Sequence, residues 1–329
     1  MKFFLITPIF LMITGCFPSS DLLPVFNLFS KQTPKEALVN CLAENPKLGE
    51  KGCDIKQCFA SPITLVAMQD LLINTSEALN DLKINWWLDS GSAIAAYRFN
   101  AHLPWDDDVD LGVLASEINQ NVLERIRKKL FQKGFEFRPL FGTSMMRNIT
   151  GYQGIYQVAY RKNKFFSLLL SQNPEISPAD LENYWLNYVE ASAMMPHLDI
   201  FVFEEKGNGE WGYESDKFFK TQFKNQSMEK SILLPTKNIN VLGKQFPIVN
   251  NINEYSKKSY QVDDIKNNFY FNRQHSKGCK AFSIKDIRKN PMMLEYIFEY
   301  LDFVYKTPAA RALGIVYDGK KTMKEIYRN

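Results

Sequence analysis

The sequence predicts an α/β or α+β domain, a mixed sheet flanked by helices, on three observations. Strand-like and helix-like segments alternate through the middle of the chain. One strand, residues 108–114, alternates strictly with a period of two. The helical segments carry start and stop signals. Ser61-Pro62 opens a helix in which Leu65, Met68, Leu72, Leu79 and Leu82 recur at helical spacing, with Ser61 as N-cap and Pro62 in the first position. Residues 84–88 read as a short buried strand and 91–97 as a small-residue helix. After the 108–114 strand, a charged amphipathic helix spans 116–133 and stops at Gly134. Strands follow at 135–140 and 155–161, a helix at 178–192 and a strand at 197–205. The stretch 206–290 is polar, rich in Asn and Lys, and yields no assignment. A last helix covers 291–305, beginning with Pro291, and no internal repeat is visible.

With 329 residues, 45% of them hydrophobic, the chain can bury a sizeable core, in one large domain or two modest ones. Forty Lys and Arg against 36 Asp and Glu give a formal charge of +4 without a polybasic run, so no nucleic-acid surface is expected. Lys2 precedes a mostly apolar run over 3–17, broken by Thr7, Pro8 and Thr14, which is the pattern of a secretory signal. A spanning helix needs roughly 20 apolar residues, so this run is marginal as an anchor. It fits a cleaved signal, an uncleaved signal anchor, or a bacterial lipoprotein signal with Ile13-Thr14-Gly15-Cys16 as the lipidation site. Each reading puts the remainder outside the cytosol. The foremost expectation is a single-pass anchor in the secretory pathway with the domain in the ER or Golgi lumen. Secretion, or lipidation at Cys16, is the alternative, and membrane contact is through the N-terminal segment only. Residues 1–17 are thus signal or anchor, 18–60 a stem or irregular cap, and 61–329 the main domain. Cys41, Cys53, Cys58 and Cys279 form an even set, which in an exported chain favours disulfides and one local staple among the first three. Reduced, partly buried thiols are the alternative, and zinc fits less well because Cys53-x4-Cys58 has no nearby His. Sequons at Asn74, Asn148 and Asn225 permit N-glycosylation.

The densest chemical signal is Asp106-Asp107-Asp108-Val109-Asp110. On a strand, Asp106, Asp108 and Asp110 share one face, while Val109, Leu111 and Val113 share the other. Carboxylates two residues apart repel unless a cation lies between them, and Mg2+ or Mn2+ shared with substrate phosphates is the natural one. An EF-hand loop does not fit. Started at Asp106, it places Leu111 where Gly is needed; started at Asp107, it places Val109 and Leu111 at ligand positions. Upstream, a strand stopping at Gly91 and turning into a helix presents backbone N–H groups and the Ser92 hydroxyl to an anion. Arg98 follows about two turns along and is the candidate for a second phosphate. A third acid, Asp199, sits in the apolar strand His197-Leu198-Asp199-Ile200-Phe201-Val202-Phe203. Buried unpaired it would cost several kcal/mol, so it needs a metal, a cation or water; an acid at a sheet edge is the alternative. His197 shares its face and reads as a structural hydrogen-bonder.

These residues resemble the signature of the LicD/fukutin family: Leu88-x-x-Gly91-Ser92, then Arg98, then Pro104-Trp105-Asp106-x-Asp108-x-Asp110. The resemblance is densest over 84–114, extends to 205 and fades beyond. It implies a nucleotidyltransferase fold for the 61–329 domain. The implied activity is transfer of a phospho-alcohol or phospho-sugar from a CDP-linked donor to a glycan or glycoprotein acceptor. Asp108, Asp110 and Asp199 are then the catalytic acids and, with Asp106, the metal set, while Gly91, Ser92 and Arg98 bind the donor. The sequence departs from the family where Phe99-Asn100-Ala101 follow Arg98 in place of His-x-Gly. Two alternatives remain: a glycosyltransferase using Asp-x-Asp to hold a nucleoside-diphosphate sugar, and a family member that only binds glycans.

Overall fold

The computed structural model describes residues 60–139, 154–186, 196–214, 227–260, 265 and 291–327. The N-terminal signal, the 18–59 stem, all five cysteines and the sequons at Asn148 and Asn225 lie outside the described residues. Nine strands form one open mixed sheet: β1 (Trp86–Leu88), β2 (Asp108–Leu114), β3 (Phe135–Pro139), β4 (Ile155–Tyr160), β5 (His197–Gly207), β6 (Glu210–Tyr213), β7 (Met228–Glu229), β8 (Lys237–Val241) and β9 (Lys244–Ile248). Their order is β3-β4-β5-β2-β1-β9-β8, with β6 pairing β5 and β7 pairing β6. The β2–β5 and β1–β9 pairs are parallel and the others antiparallel. The helices are α1 (Pro62–Asp81), α2 (Ser90–Phe99), α3 (Gln120–Gln132), α4 (Lys162–Gln172), α5 (Pro178–Tyr184), α6 (Lys230–Leu233), α7 (Ile252–Tyr260), α8 (Pro291–Tyr305), α9 (Pro308–Ala312) and α10 (Gly319–Tyr327). This is the mixed sheet flanked by helices that the alternating pattern predicts.

Helix α1 begins as expected, with the Ser61 hydroxyl accepting the Thr64 N–H at 3.2 Å and Pro62 in the first turn. It is buried nearly all round, because it lies on β2, β4 and β5 and is covered in turn by α3, α4 and α8. Val109, Leu111 and Val113 of β2 and Leu198, Ile200 and Val202 of β5 are buried on the sheet face beneath it. Tyr160, on that same face of β4, ties the two layers by donating to Asp70 Oδ2 at 2.7 Å. One face of the central strands is thus apolar and covered. The acids alternate onto the other. Among the described residues no helix is long and apolar enough to cross a membrane.

Several elements differ from the sequence reading. The first strand starts at Trp86 rather than 84, and α2 starts at Ser90 rather than 91. The helix expected over 116–133 divides: Ala115–Glu117 is a 3-10 turn, Ile118 is extended, and α3 begins only after Asn119. Asn119 caps it by accepting the Val122 N–H at 3.0 Å, while Glu117 is held by the N–H and side-chain amide of Asn85. The helix expected over 178–192 spans Pro178–Tyr184, and residues 187–192 lie outside the described residues. Helix α4 was not expected, and the unassigned 206–290 stretch supplies β6 to β9, α6 and α7. The β8–β9 hairpin turns on Leu242 and Gly243, both at positive φ. Glycine takes that conformation freely, but Leu242 disguises the turn, and it is stabilised there by burial and by donating its N–H to the Asn100 carbonyl at 2.8 Å. Asn74 lies within α1, its side-chain nitrogen donating to Asp70 at 2.8 Å, so this sequon is not presented as a surface-loop acceptor.

Candidate active site

The parallel β2–β5 pair places Asp108 beside His197 and Asp110 beside Asp199. Paired residues share a face, so the four side chains project together from the centre of the sheet. His197 Nε2 lies 3.9 Å from Asp108 Oδ2 and 3.7 Å from Asp199 Oδ2. One ligand atom from each of the three residues falls within a 4.8 Å cluster. An imidazole nitrogen and carboxylate oxygens bind a divalent ion at about 2.0–2.2 Å, so one ion spans two such atoms up to roughly 4 Å apart. The three side chains are 11–27% exposed, reachable from solvent yet shielded by the sheet. Their donor chemistry fits a divalent cation. A second group within the same span is Asp106, Asp107 and Asp108, so Asp108 belongs to both.

Helix α2 rises from the end of β1 directly under these acids. A Cβ at Gly91 would stand 3.2 Å from Asp106 Oδ2 and 3.8 Å from Asp110 Oδ2. The helix's first turn is therefore taken up by the protein's own carboxylates. Gly91 donates its N–H to Asp110, the Ser92 hydroxyl accepts the Asp110 N–H at 2.9 Å, and the Ser90 N–H donates to Tyr255. Behind the turn lies Asp89, wholly buried. Its Oδ1 accepts from Tyr255 at 2.7 Å and Trp87 at 3.2 Å, and its Oδ2 accepts from Tyr213 at 2.8 Å and Ser90 at 3.2 Å. Gly112 makes this arrangement possible: Trp87 crosses it so closely that a Cβ there would lie 2.3 Å from the indole ring.

Electrostatics follow from this crowding. Burial, then the charges of Asp108 and its neighbours, holds the Asp106 carboxyl well above the ordinary carboxylate range. Asp110 is raised in the same way, by burial first, then by Asp108, Asp199 and Asp89, with the Gly91 N–H pulling in the opposite direction. Asp89 is also raised, because burial outweighs its four hydrogen bonds. Among the described residues no lysine or arginine pairs with Asp106, Asp108, Asp110 or Asp199; protons or a metal ion would relieve the repulsion.

The residues named from sequence come together unevenly. Asp108, Asp110 and Asp199 share one sheet face. Asp106 reaches them from the turn before β2 rather than by strand alternation, since the strand begins at Asp108. Gly91 and Ser92 sit at the site, where they hold Asp110. Arg98 is buried at the far end of α2, its Nε donating to the Ile265 carbonyl at 2.7 Å. His197, read from sequence as a structural hydrogen-bonder, stands between two candidate ligands. Asp89, Tyr213, Tyr255 and Gln157 were not anticipated. Asp89 occupies one of the unspecified positions between Leu88 and Gly91, and its two tyrosine partners lie more than a hundred residues downstream, so no local signal joins them.

Comparison with known proteins agrees with this geometry. Residues 83–251, about half of the chain, match the LicD/FKTN/FKRP nucleotidyltransferase domain. An uncharacterised protein of Rickettsia typhi is 26% identical over 123 residues, 36% of this chain and 38% of the relative. An uncharacterised protein of Rickettsia prowazekii is 29% identical over 82 residues, 25% of this chain and 30% of the relative. The chain therefore matches only about a third of the length of these curated relatives.

Proposed function

The chain belongs to the LicD/FKTN/FKRP nucleotidyltransferase family, a family of transferases, and from that premise we propose a metal-dependent phosphotransferase. It moves a phospho-alcohol or phospho-sugar from a CDP-linked donor to a glycan acceptor. The observation that carries the reading is the convergence of Asp108, His197 and Asp199 on one face of the sheet. These three would hold a divalent ion, and Asp106 flanks them. The imidazole nitrogen suits Mn2+ at least as well as Mg2+, which prefers an all-oxygen shell. When bound, such an ion neutralises charge on the transferring phosphoryl group.

The protein's own part is to orient groups and to hold a proton. Asp110, fixed by Gly91 and Ser92 beside Asp199, takes the proton of the acceptor hydroxyl. The acceptor oxygen forms the new bond to the donor's outer phosphorus. The bond from that phosphorus to CMP breaks, and CMP leaves with the electron pair. Gly91 makes room for two carboxylates above the helix, where any side chain would displace Asp106. The buried Asp89 cage fixes the turn that carries Gly91.

The test is incubation of the metal-stripped chain with a panel of CDP-linked donors and a glycan acceptor, with and without Mn2+. We expect CMP release and phosphorus in the glycan product only when metal is present. A glycan product that gains sugar without phosphorus would overturn this reading in favour of a glycosyltransferase. Donor binding without any turnover would favour the glycan-binding alternative.

A further inference from the structure

One rung of the sheet runs straight from the acid cluster to a cation. Asp110 on β2 pairs with Asp199 on β5, Asp199 with Gln157 on β4, and Gln157 with Arg138 on β3. Residues paired in this way project to one face, so the four side chains form a row about three interstrand spacings long, roughly 14 Å. Contacts run along its outer part. Arg138 Nη2 and Nε donate to Gln157 Oε1 at 2.8 and 3.3 Å, and Gln157 Nε2 donates to Asp199 Oδ1 at 3.4 Å. Gln157 is buried and thereby oriented, its oxygen toward the guanidinium and its nitrogen toward the carboxylate. Arg138 is exposed, and the only other charged side chain on its face of β3 is Glu136. Among the described residues its guanidinium meets only the neutral oxygen of Gln157, which leaves further N–H donors facing solvent.

We infer that Arg138 is a substrate-binding residue that takes a phosphoryl group of the donor's diphosphate, the one remote from the metal ligands. The inference rests on the phosphotransferase reading and names a specificity residue for that site. A planar guanidinium fork matches phosphate oxygens, and here it stands on the same face as the acids, two strands beyond Asp199. A diphosphate that begins at Asp108, His197 and Asp199 extends along the rung toward it. Arg98, the cation nominated by sequence, is instead buried with its Nε on a backbone carbonyl. Gln157 is then a positioning residue, holding Arg138 and Asp199 in one register.

The experiment is calorimetric titration of the full chain, saturated with Mn2+, using pyrophosphate as probe and CDP in a second arm. Arg138→Gln is expected to weaken pyrophosphate binding about tenfold or more, the usual scale for a lost charge-assisted contact. Mn2+ affinity is expected to change far less than pyrophosphate affinity, because no metal ligand is altered and the replacement amide can still donate to Gln157. Arg138→Lys recovers part of the loss, since it restores the charge without the fork. Unchanged pyrophosphate affinity in Arg138→Gln, or no pyrophosphate binding by the wild-type chain, would overturn the inference. A wild-type chain that binds pyrophosphate through Arg138 but ignores CDP would sink the CDP-donor reading and leave the role of Arg138 standing.

Discussion

Asp199 is held from two sides, by Gln157 on one oxygen and by the His197 imidazole near the other, and this defines its part in the site. An acid placed with Asp108 and His197 inside one 4.8 Å cluster is, on the phosphotransferase reading proposed above, a metal ligand first. Asp199→Asn keeps the shape and loses the charge, so Mn2+ affinity should fall by roughly a hundredfold, the upper end of the range for perturbed metal sites. Transfer should fall by the same factor. If turnover collapses while calorimetric Mn2+ affinity holds, Asp199 is the proton acceptor and Asp110 is not. Sequence reasoning found Asp199 because a lone acid in an apolar strand is conspicuous. The sequence reads His197 as a structural hydrogen-bonder; its place beside Asp108 is set by β2, which lies some ninety residues earlier. A second residue-scale expectation concerns His102, fully buried with its Nε2 2.9 Å from Gln69 Oε1. Burial lowers its pKa to about 3, against an ordinary value near 6.5. Below pH 6.5 the unfolded chain binds a proton that the folded chain refuses. The His102 contribution therefore destabilises the fold as pH falls from 6.5 toward 3, at up to about 1.4 kcal/mol per unit, and is flat above 6.5. NMR of the folded protein should show the His102 imidazole neutral down to about pH 4. A midpoint near 6.5 would show that the ring is solvated.

Helix α2 is the element on which the site depends, and its anchoring is tertiary rather than local. Asp89 does not cap the helix with its side chain, and Ser90 begins it at a φ of 45°. Such a start is strained for a residue with a side chain. It is held because Tyr255, from α7, accepts the Ser90 N–H at 2.9 Å and donates to Asp89 at 2.7 Å. Tyr255→Phe leaves a buried N–H and a buried carboxylate oxygen each short of a partner. We expect it to cost about 1–3 kcal/mol in denaturant unfolding, with weakened Mn2+ binding because the Gly91 turn loosens. No change in either would show that the cage is incidental. Gly112→Ala acts on the same element from the opposite side, since its methyl group would enter the Trp87 indole. Overpacking of this kind costs about 1–3 kcal/mol. The strands and helices that carry local signals, α1, α2, β2 and β5 among them, were legible in the sequence to within a few residues. Elements made by tertiary contact were not. The 3-10 break at Ala115–Glu117 exists because Glu117 binds Asn85, and the β8–β9 turn places Leu242 where Asn or Gly is usual.

At the scale of the whole molecule, one sheet gathers into a single centre residues that are spread from Gly91 to Asp199, and it does so through the parallel β2–β5 pair. Parallel neighbours need a crossover, and here the chain between them builds α3, β3, β4, α4 and α5. The sheet is open, and its described core runs from Ala60 to Met323. The location of the chain is a separate question. On the export reading proposed here, Lys2 and the apolar run over 3–17 form the signal, and Cys16 follows Ile13-Thr14-Gly15 as a lipidation site would require. We expect a fusion of residues 1–60 to alkaline phosphatase to be active outside the bacterial cytoplasm, and the same fusion starting at residue 18 to be inactive there. Cys16→Ser separates the alternatives. If the segment is a lipoprotein signal, the variant loses incorporation of labelled palmitate. If it is an uncleaved anchor, the variant stays membrane-bound at full length, because an apolar helix holds the bilayer without a lipid. If it is a cleaved secretory signal, both forms appear in the soluble fraction, shortened by about the length of the apolar run. Fusion activity that does not depend on residues 1–17 would sink the export assignment altogether.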